Sequence, residues 1–177
     1  MFGRWLGSVR NLEVPAGAGE ILHRVREHLP EADDETARVV AALGGLLAAV
    51  AYADRDYSNA EEAVVRQLLA RVHGMTPAGI EAICDAMRRH VVEASTVGIP
   101  RYTRELRELG DNELRRDVLS ALVDLAAADG RITMSETNLL RQITQSLGLT
   151  QGDYNDAQAR HRDRLSILKT SGEPEPQ

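Results

Sequence analysis

The sequence predicts an all-α domain, a compact bundle of seven to eight helices with a two-fold internal repeat. Three observations lead to this fold class. Apolar residues recur at helical spacing along most of the chain, with no strand-like alternation of useful length. Capping residues and helix breakers separate the apolar segments. The 177 residues are 43% hydrophobic but only 3% aromatic, so one sizeable and mostly aliphatic core is expected.

The first half of the chain contains four predicted helices, after an N-terminal segment and linker at residues 1–19. Pro30 closes the first helix, and Asp33 or Asp34 caps the second. Thr76 and Pro77 supply the N-cap and the first position of the fourth. The predicted spans are 20–29, 34 to about 53, 59–72 and 77 to about 95.

The second half contains four more predicted helices and a tail. The run Gly98-Ile99-Pro100 breaks the preceding helix, Asp111 begins the second of the four, and Gly148 closes the third. The predicted spans are 101–109, 111–128, 135–147 and 150–165. The helical domain therefore covers residues 20–168, and residues 169–177, with two prolines and a glycine, are predicted to be disordered.

Composition and charge exclude several classes of protein. The net charge of −6 argues against nucleic-acid binding, which needs a basic face, and is compatible with cations or basic partners. The single cysteine, Cys84, lies in a helical apolar pattern and is interpreted as a buried small hydrophobe. No secretory signal is visible, so we expect a cytoplasmic protein.

The most apolar run, residues 39–53, is shorter than the ~20 residues that a membrane span needs. We therefore expect a buried core helix. Gly44 and Gly45 interrupt this run at a cost of roughly 1 kcal/mol each. Such a cost is tolerable where a neighbouring helix must approach closely.

The internal repeat appears when residues 46–69 are aligned with residues 121–144. The repeated units cover about residues 36–96 and 111–165, and each consists of an apolar helix, an acidic turn and further helix. We expect the two units to pack face to face, each covering the apolar face of the other. The identical pairs are Leu47/Leu122, Ala51/Ala126, Ala53/Ala128, Asp54/Asp129, Glu61/Glu136, Arg66/Arg141 and Gln67/Gln142.

The two acidic turns allow a purely structural interpretation. Ser58-x-x-Glu61 and Thr133-x-x-Glu136 both match a capping box, in which the hydroxyl accepts the amide of the Glu and the Glu carboxylate accepts the amide of the capping residue. Gly130 suits the left-handed cap of the preceding helix. None of these interactions needs a ligand.

Capping leaves Asp54 and Asp129 unexplained. Each carboxylate lies at a helix C-terminus, where the helix dipole makes it unfavourable by roughly 0.3–1 kcal/mol. Either the free amides of the following helix or a bound divalent cation such as Ca²⁺, Mn²⁺ or Zn²⁺ could compensate. The spacing does not match a calcium-binding EF-hand loop. The candidate metal ligands are Asp54, Asp56, Glu61, Asp129 and Glu136.

Residues 122–149 resemble the signature of the TerB-like family, which comprises tellurite-resistance proteins and the N-terminal domain of the DjlA co-chaperones. Ala128-Asp129-Gly130, Glu136 and Leu147-Gly148-Leu149-Thr150 carry the resemblance, which extends over roughly residues 30–165. It implies an all-α fold, an acidic centre proposed to bind divalent metal, and a role in bacterial stress response without catalysis. Arg55 departs from the pattern, since it stands where the second unit has Gly130.

The N-terminal segment offers a different function. Residues 2–12 form a short amphipathic pattern with Phe2, Trp5, Leu6 and Val9 on one side, which fits weak association with a membrane surface or a partner, or docking on the protein body.

The predicted function is a non-catalytic TerB-like module, a scaffold or sensor that binds metal and a protein partner in a tellurite-type stress response. The alternative is a membrane-peripheral adaptor at the inner membrane, with purely structural acidic turns. No nucleophile–base pair stands out in the sequence, so an enzyme is not expected.

Overall fold

The computed structural model describes residues 16–55, 57–93 and 98–170, and the side chains of residues 19–55, 57–90 and 98–162 within them. Eight α-helices and no strand are present in this part of the chain, which confirms the predicted all-α fold. The helices are α1 (Ala16–His28), α2 (Asp34–Ala51), α3 (Asn59–Leu69), α4 (Pro77–Glu93), α5 (Ile99–Leu109), α6 (Asn112–Ala126), α7 (Met134–Ser146) and α8 (Gln151–Thr170).

Side-chain caps fix the starts of several helices. Asp33, Thr76 and Asp111 each accept a hydrogen bond from the backbone amide three residues further on, at 2.7, 3.1 and 2.8 Å. Each bond satisfies one of the amides that the first turn of a helix leaves without an intrahelical partner. The predicted starts of α2, α4 and α6 are therefore confirmed.

Several helix boundaries differ from the prediction; helix α3, for example, ends at Leu69 rather than Val72. Helix α1 begins at Ala16, four residues before the predicted start, so residues 16–19 are helical rather than a linker. Helix α5 begins at Ile99, because Pro100 falls in its first turn, where a missing amide hydrogen removes no helical bond. Helix α8 continues to Thr170, so the first two residues of the predicted tail are helical. Residues 171–177 lie outside the described part of the chain.

Helix α2 forms the centre of the core and packs against α1, α4, α5 and α6. Its residues from 44 to 51 are all buried, as expected for the most apolar run. A Cβ atom placed on Gly45 would lie 2.2 Å from Cζ of Tyr102 on α5, so glycine is what lets that ring contact the α2 backbone. Cys84 on α4 is also buried, and burial raises the pKa of its thiol to about 11, which fits a packing residue.

The repeat is visible in the order of the helices. Helices α2 and α6 end at the identical pair Ala51 and Ala126, and the starts of α3 and α7 also fall on aligned positions. Helices α4 and α8 begin at Pro77 and Gln151, which align once a single position is skipped. The two units contact each other mainly through α2 and α6, with α3 against α6 and α2 against α7. This arrangement confirms the two-fold internal repeat.

Candidate functional site

The first acidic turn joins α2 to α3. A capping box closes its far end: the Glu61 amide donates to Oγ of Ser58 at 3.1 Å, and the Ser58 amide donates to Oε2 of Glu61 at 2.8 Å. The Glu61 side chain is buried, with 7% exposure. Arg55 takes a left-handed backbone conformation, with φ 70°, to reverse the chain. The turn thus fixes one carboxylate at the protein interior.

The second acidic turn, between α6 and α7, repeats this geometry. The Glu136 amide donates to Oγ1 of Thr133 at 3.2 Å, and the amide and hydroxyl of Thr133 donate to Oε2 of Glu136 at 2.7 and 2.8 Å. Glu136 is 4% exposed. Gly130 has φ 95° at the position that corresponds to Arg55. Both capping boxes that the sequence predicts are therefore confirmed.

The negative charge of the second turn affects Glu61 in the first. The pKa of Glu61 is raised, first because burial penalises its charged form. The hydrogen bonds from Ser58 oppose that effect, but the negative charges of Glu136 and Asp54 raise the pKa further. Two buried carboxylates from separate units, with Asp54 near the first, therefore form an acidic centre. This name is used below for Asp54, Glu61 and Glu136.

The other predicted metal ligands have different outcomes. Asp129 is exposed, and its Oδ1 accepts the backbone amide of Arg131 at 3.1 Å, so the turn itself supplies a partner for this carboxylate. Asp56 lies outside the described residues. Within residues 16–55, 57–93 and 98–170, no three His, Cys, Asp or Glu side chains form a group that could hold a metal ion. The acidic centre is thus a site of concentrated charge rather than a preformed metal cage.

The N-terminal contact residues cannot be placed in the same way. Phe2, Trp5, Leu6 and Val9 all lie outside the described residues. Within the described part of the chain, no helix has both the length and the apolar character needed to cross a bilayer.

The protein-family comparison decides the identity of this fold. The family model described as "Tellurite resistance protein TerB" matches residues 37–159. This chain belongs to the TerB family. The match runs from α2 into α8, so it includes both acidic turns and most of both repeated units of the TerB domain. It begins after α1, which packs against α2 and α4 from outside the matched region. No curated protein and no solved structure matches the chain.

One feature of this TerB-family domain was missed from the sequence. An apolar pocket of about 290 Å³ lies beside the α2–α3 turn and is lined by Ala48, Ala51, Tyr52, Tyr57, Met87 and Arg88. The sequence does carry one signal for it: Tyr57 corresponds to Ile132 in the second unit, so the two turns differ at this position. A tyrosine brings a hydroxyl group into a place where the repeat needs only an apolar side chain.

Proposed function

We propose that this TerB-family chain is a non-catalytic binding module whose acidic centre attracts one divalent cation, and that it acts as a scaffold or sensor in a bacterial stress response of the tellurite type. The observation that carries the proposal is that the negative charges of Glu136 and Asp54 raise the pKa of Glu61 beyond the effect of burial. Like charges held together at a buried place destabilise the folded state, and a cation between them would relieve that repulsion.

The donor atoms favour a hard and partly hydrated cation. Each capping box uses Oε2 of its glutamate, so Oε1 of Glu61 and Oε1 of Glu136 are not engaged by the boxes. Ca²⁺ takes about six to eight oxygen ligands, which can be carboxylates, carbonyls and water molecules, and Mn²⁺ also suits carboxylate and water ligands. Among the candidate ions, this supports Ca²⁺ or Mn²⁺ over Zn²⁺, since structural zinc sites are closed by Cys and His ligands. Asp56 is a further oxygen donor in the sequence of the first turn.

A binding role also suits the way the glutamates are held. The Oε2 atoms of Glu61 and Glu136 accept backbone amides at 2.8 and 2.7 Å, which orients both carboxylates and ties them to helix starts. A cation at the acidic centre would then link the starts of α3 and α7, one from each unit. Such a link would make the relative position of the units depend on the cation, which is what a scaffold or sensor requires.

Thermal unfolding tests the cation proposal. Chelator-treated protein is melted alone and with Ca²⁺, Mn²⁺ or Zn²⁺. An ion at 100 times its dissociation constant stabilises the folded state by about 2.7 kcal/mol, which raises the melting temperature of a domain of this size by roughly 5–10 °C. The double variant Glu61→Gln with Glu136→Gln, which removes both carboxylates but keeps an acceptor oxygen in each capping box, should lose this rise.

The matched control removes the same two charges elsewhere. Glu108→Gln with Glu113→Gln changes two exposed carboxylates of α5 and α6 and should keep the full rise. The proposal is wrong if no ion raises the melting temperature. It is also wrong if both double variants respond alike, because the ion would then only screen the net charge of −6.

A further inference from the structure

Two guanidinium groups converge on Gly148, just after the end of α7. A Cβ atom placed on Gly148 would lie 3.4 Å from Nη1 of Arg115 and 3.7 Å from Nε of Arg107, so these two nitrogens are no more than about 7 Å apart. Gly148 has φ 73°, a conformation that favours glycine, and its missing side chain leaves room between the two arginines. Arg107, Arg115 and Gly148 are called the basic site below.

Hydrogen bonds hold the Arg115 side chain in place. Its Nε donates to the Asp111 carbonyl at 3.1 Å, its Nη1 to the Leu147 carbonyl at 3.0 Å and its Nη2 to Oδ1 of Asn112 at 2.6 Å. All three acceptors are uncharged, so they orient the guanidinium without neutralising it. Because a guanidinium has five N–H donors, Arg115 keeps donors for a further acceptor.

Arg107, at the end of α5, is exposed, and its side chain forms no ion pair or hydrogen bond within the described residues. The same holds for Arg104, which lies one turn earlier on the same helix. Elsewhere in the bundle, arginines pair with carboxylates, as Arg38 does with Glu105. Since 27 acidic residues face only 21 Lys and Arg, neighbouring guanidinium groups without a carboxylate partner are an exception in this chain.

The C-terminus of α7 accounts for only part of this positive charge. A helix C-terminus carries about half a negative charge, so an arginine beside it is stabilising. Two guanidinium groups bring two positive charges, of which about 1.5 remain after the helix dipole is counted. Glu108, Asp111 and Glu113 are close in sequence and exposed, but none forms an ion pair with either arginine of the basic site within the described residues. A small dianion would balance the remaining charge.

The arrangement of donors favours a phosphate group as that dianion. A single guanidinium can bind both oxygens of a carboxylate, which carries one charge. A phosphate group carries about two negative charges at neutral pH and offers at least three acceptor oxygens, so it can contact two guanidinium groups at once. A long polyanion such as a nucleic acid fits poorly, because the net charge of −6 repels it.

We propose that Arg107 and Arg115 bind one dianionic phosphate group, free or in a small phosphomonoester, in the space over Gly148. This site lies at the opposite end of α7 from the acidic centre, because Glu136 belongs to the first turn of α7 and Gly148 follows its last turn. The distance between them along the helix is about 18 Å. The phosphate site is therefore separate from the proposed cation site and does not depend on it.

Nuclear magnetic resonance of the full-length, ¹⁵N-labelled and chelator-treated protein tests the phosphate site. Sodium phosphate is added at about pH 8, where the phosphate group is dianionic, and sodium chloride keeps the ionic strength constant. The Gly148 amide and the Nε–H groups of Arg107 and Arg115 should shift and saturate. Arg107→Gln should weaken the affinity at least five-fold. Arg107→Lys, which keeps the charge but loses the guanidinium fork, should weaken it less.

The matched control is Arg71→Gln on α3, since Arg71 is also exposed and also without an ion pair within the described residues. This variant removes the same charge elsewhere and should keep the wild-type affinity. The proposal is refuted if no saturable shift appears at Gly148. Equal weakening by Arg71→Gln and Arg107→Gln also refutes it, because phosphate would then respond only to net charge.

A second titration, with glycerol 3-phosphate, identifies the source of the phosphate group. Shifts of the same residues with similar affinity support a site that accepts phosphomonoesters. Shifts with inorganic phosphate alone support a site for the free anion. Shifts confined to residues away from Gly148, Arg107 and Arg115 with both compounds place phosphate elsewhere and overturn the proposal.

Discussion

Replacing Arg55 by glycine should stabilise the protein by about 0.5–1 kcal/mol, because Arg55 is the one non-glycine residue with positive φ in the described part of the chain. Its counterpart in the second unit is Gly130. Holding an L-residue in the left-handed region costs roughly 1–2 kcal/mol. Glycine removes that strain but loses about 0.5–1 kcal/mol more backbone entropy on folding, so the net gain is the difference.

Equilibrium unfolding in urea measures this effect, with two companion variants. Arg55→Ala keeps the strain and removes the long side chain, so it should give no gain. Gly130→Ala introduces the strain into the second turn and should destabilise by about 1 kcal/mol. A Cβ atom on Gly130 would meet nothing within 4 Å, so steric overlap does not contribute to that loss.

The set of variants separates backbone strain from side-chain interactions. If Arg55→Gly and Arg55→Ala lose stability equally, the Arg55 side chain holds the turn through contacts and the strain argument fails. If Gly130→Ala has no effect, the second turn does not require the left-handed conformation. For a domain of this size, about 1 kcal/mol corresponds to roughly 2–4 °C in melting temperature, which calorimetry resolves.

Two further predictions concern the core and the acidic centre. Gly45→Ala should destabilise the protein by about 1–3 kcal/mol, because its methyl group would overlap the Tyr102 ring. Gly44→Ala would make only ordinary contacts, at 3.4 Å or more, so it should gain up to about 1 kcal/mol of helix propensity. Urea unfolding of both variants checks the contrast, and equal effects would contradict it. Because the pKa of Glu61 is raised in the folded state, the free energy of unfolding should fall as pH rises from its unfolded pKa near about 4.3 through the raised folded value. Glu61→Gln keeps a capping acceptor and should remove that fall, and parallel pH profiles of the two proteins would show that another group causes it.

Local chemistry made much of the fold predictable. The caps at Asp33, Ser58 and Thr133 depend on hydrogen bonds between residues three apart, so the sequence alone identifies them. The internal repeat was visible for the same reason, since its turns carry the same capping residues. Helix ends were less predictable. Helix α2 was expected to reach about Ala53 but ends at Ala51, because the chain must already be turning before the left-handed Arg55.

The site was only partly predictable, because its decisive feature is not local. The sequence identifies Glu61 and Glu136 and the capping boxes that hold them. It cannot show that the two side chains interact, since their proximity follows from the packing of α2 against α6. The apolar pocket likewise forms between α2 and α4, which are not consecutive in the sequence, so the sequence alone does not reveal it. Only the difference between Tyr57 and Ile132 indicated that the two turns have different neighbours.

The two aspartates at helix ends, Asp54 and Asp129, occupy equivalent positions in the two repeated turns. The amide of Arg131 compensates Asp129 within its own turn, so the helix dipole gives little reason to place a cation there. Asp54 adds negative charge to the surroundings of Glu61, whose pKa is already raised by burial. The proposed cation site therefore rests on Glu61, whose pKa is raised by burial and then by the charges of Glu136 and Asp54. Because Glu61 belongs to the first unit and Glu136 to the second, we propose a single site shared between the units rather than one site in each.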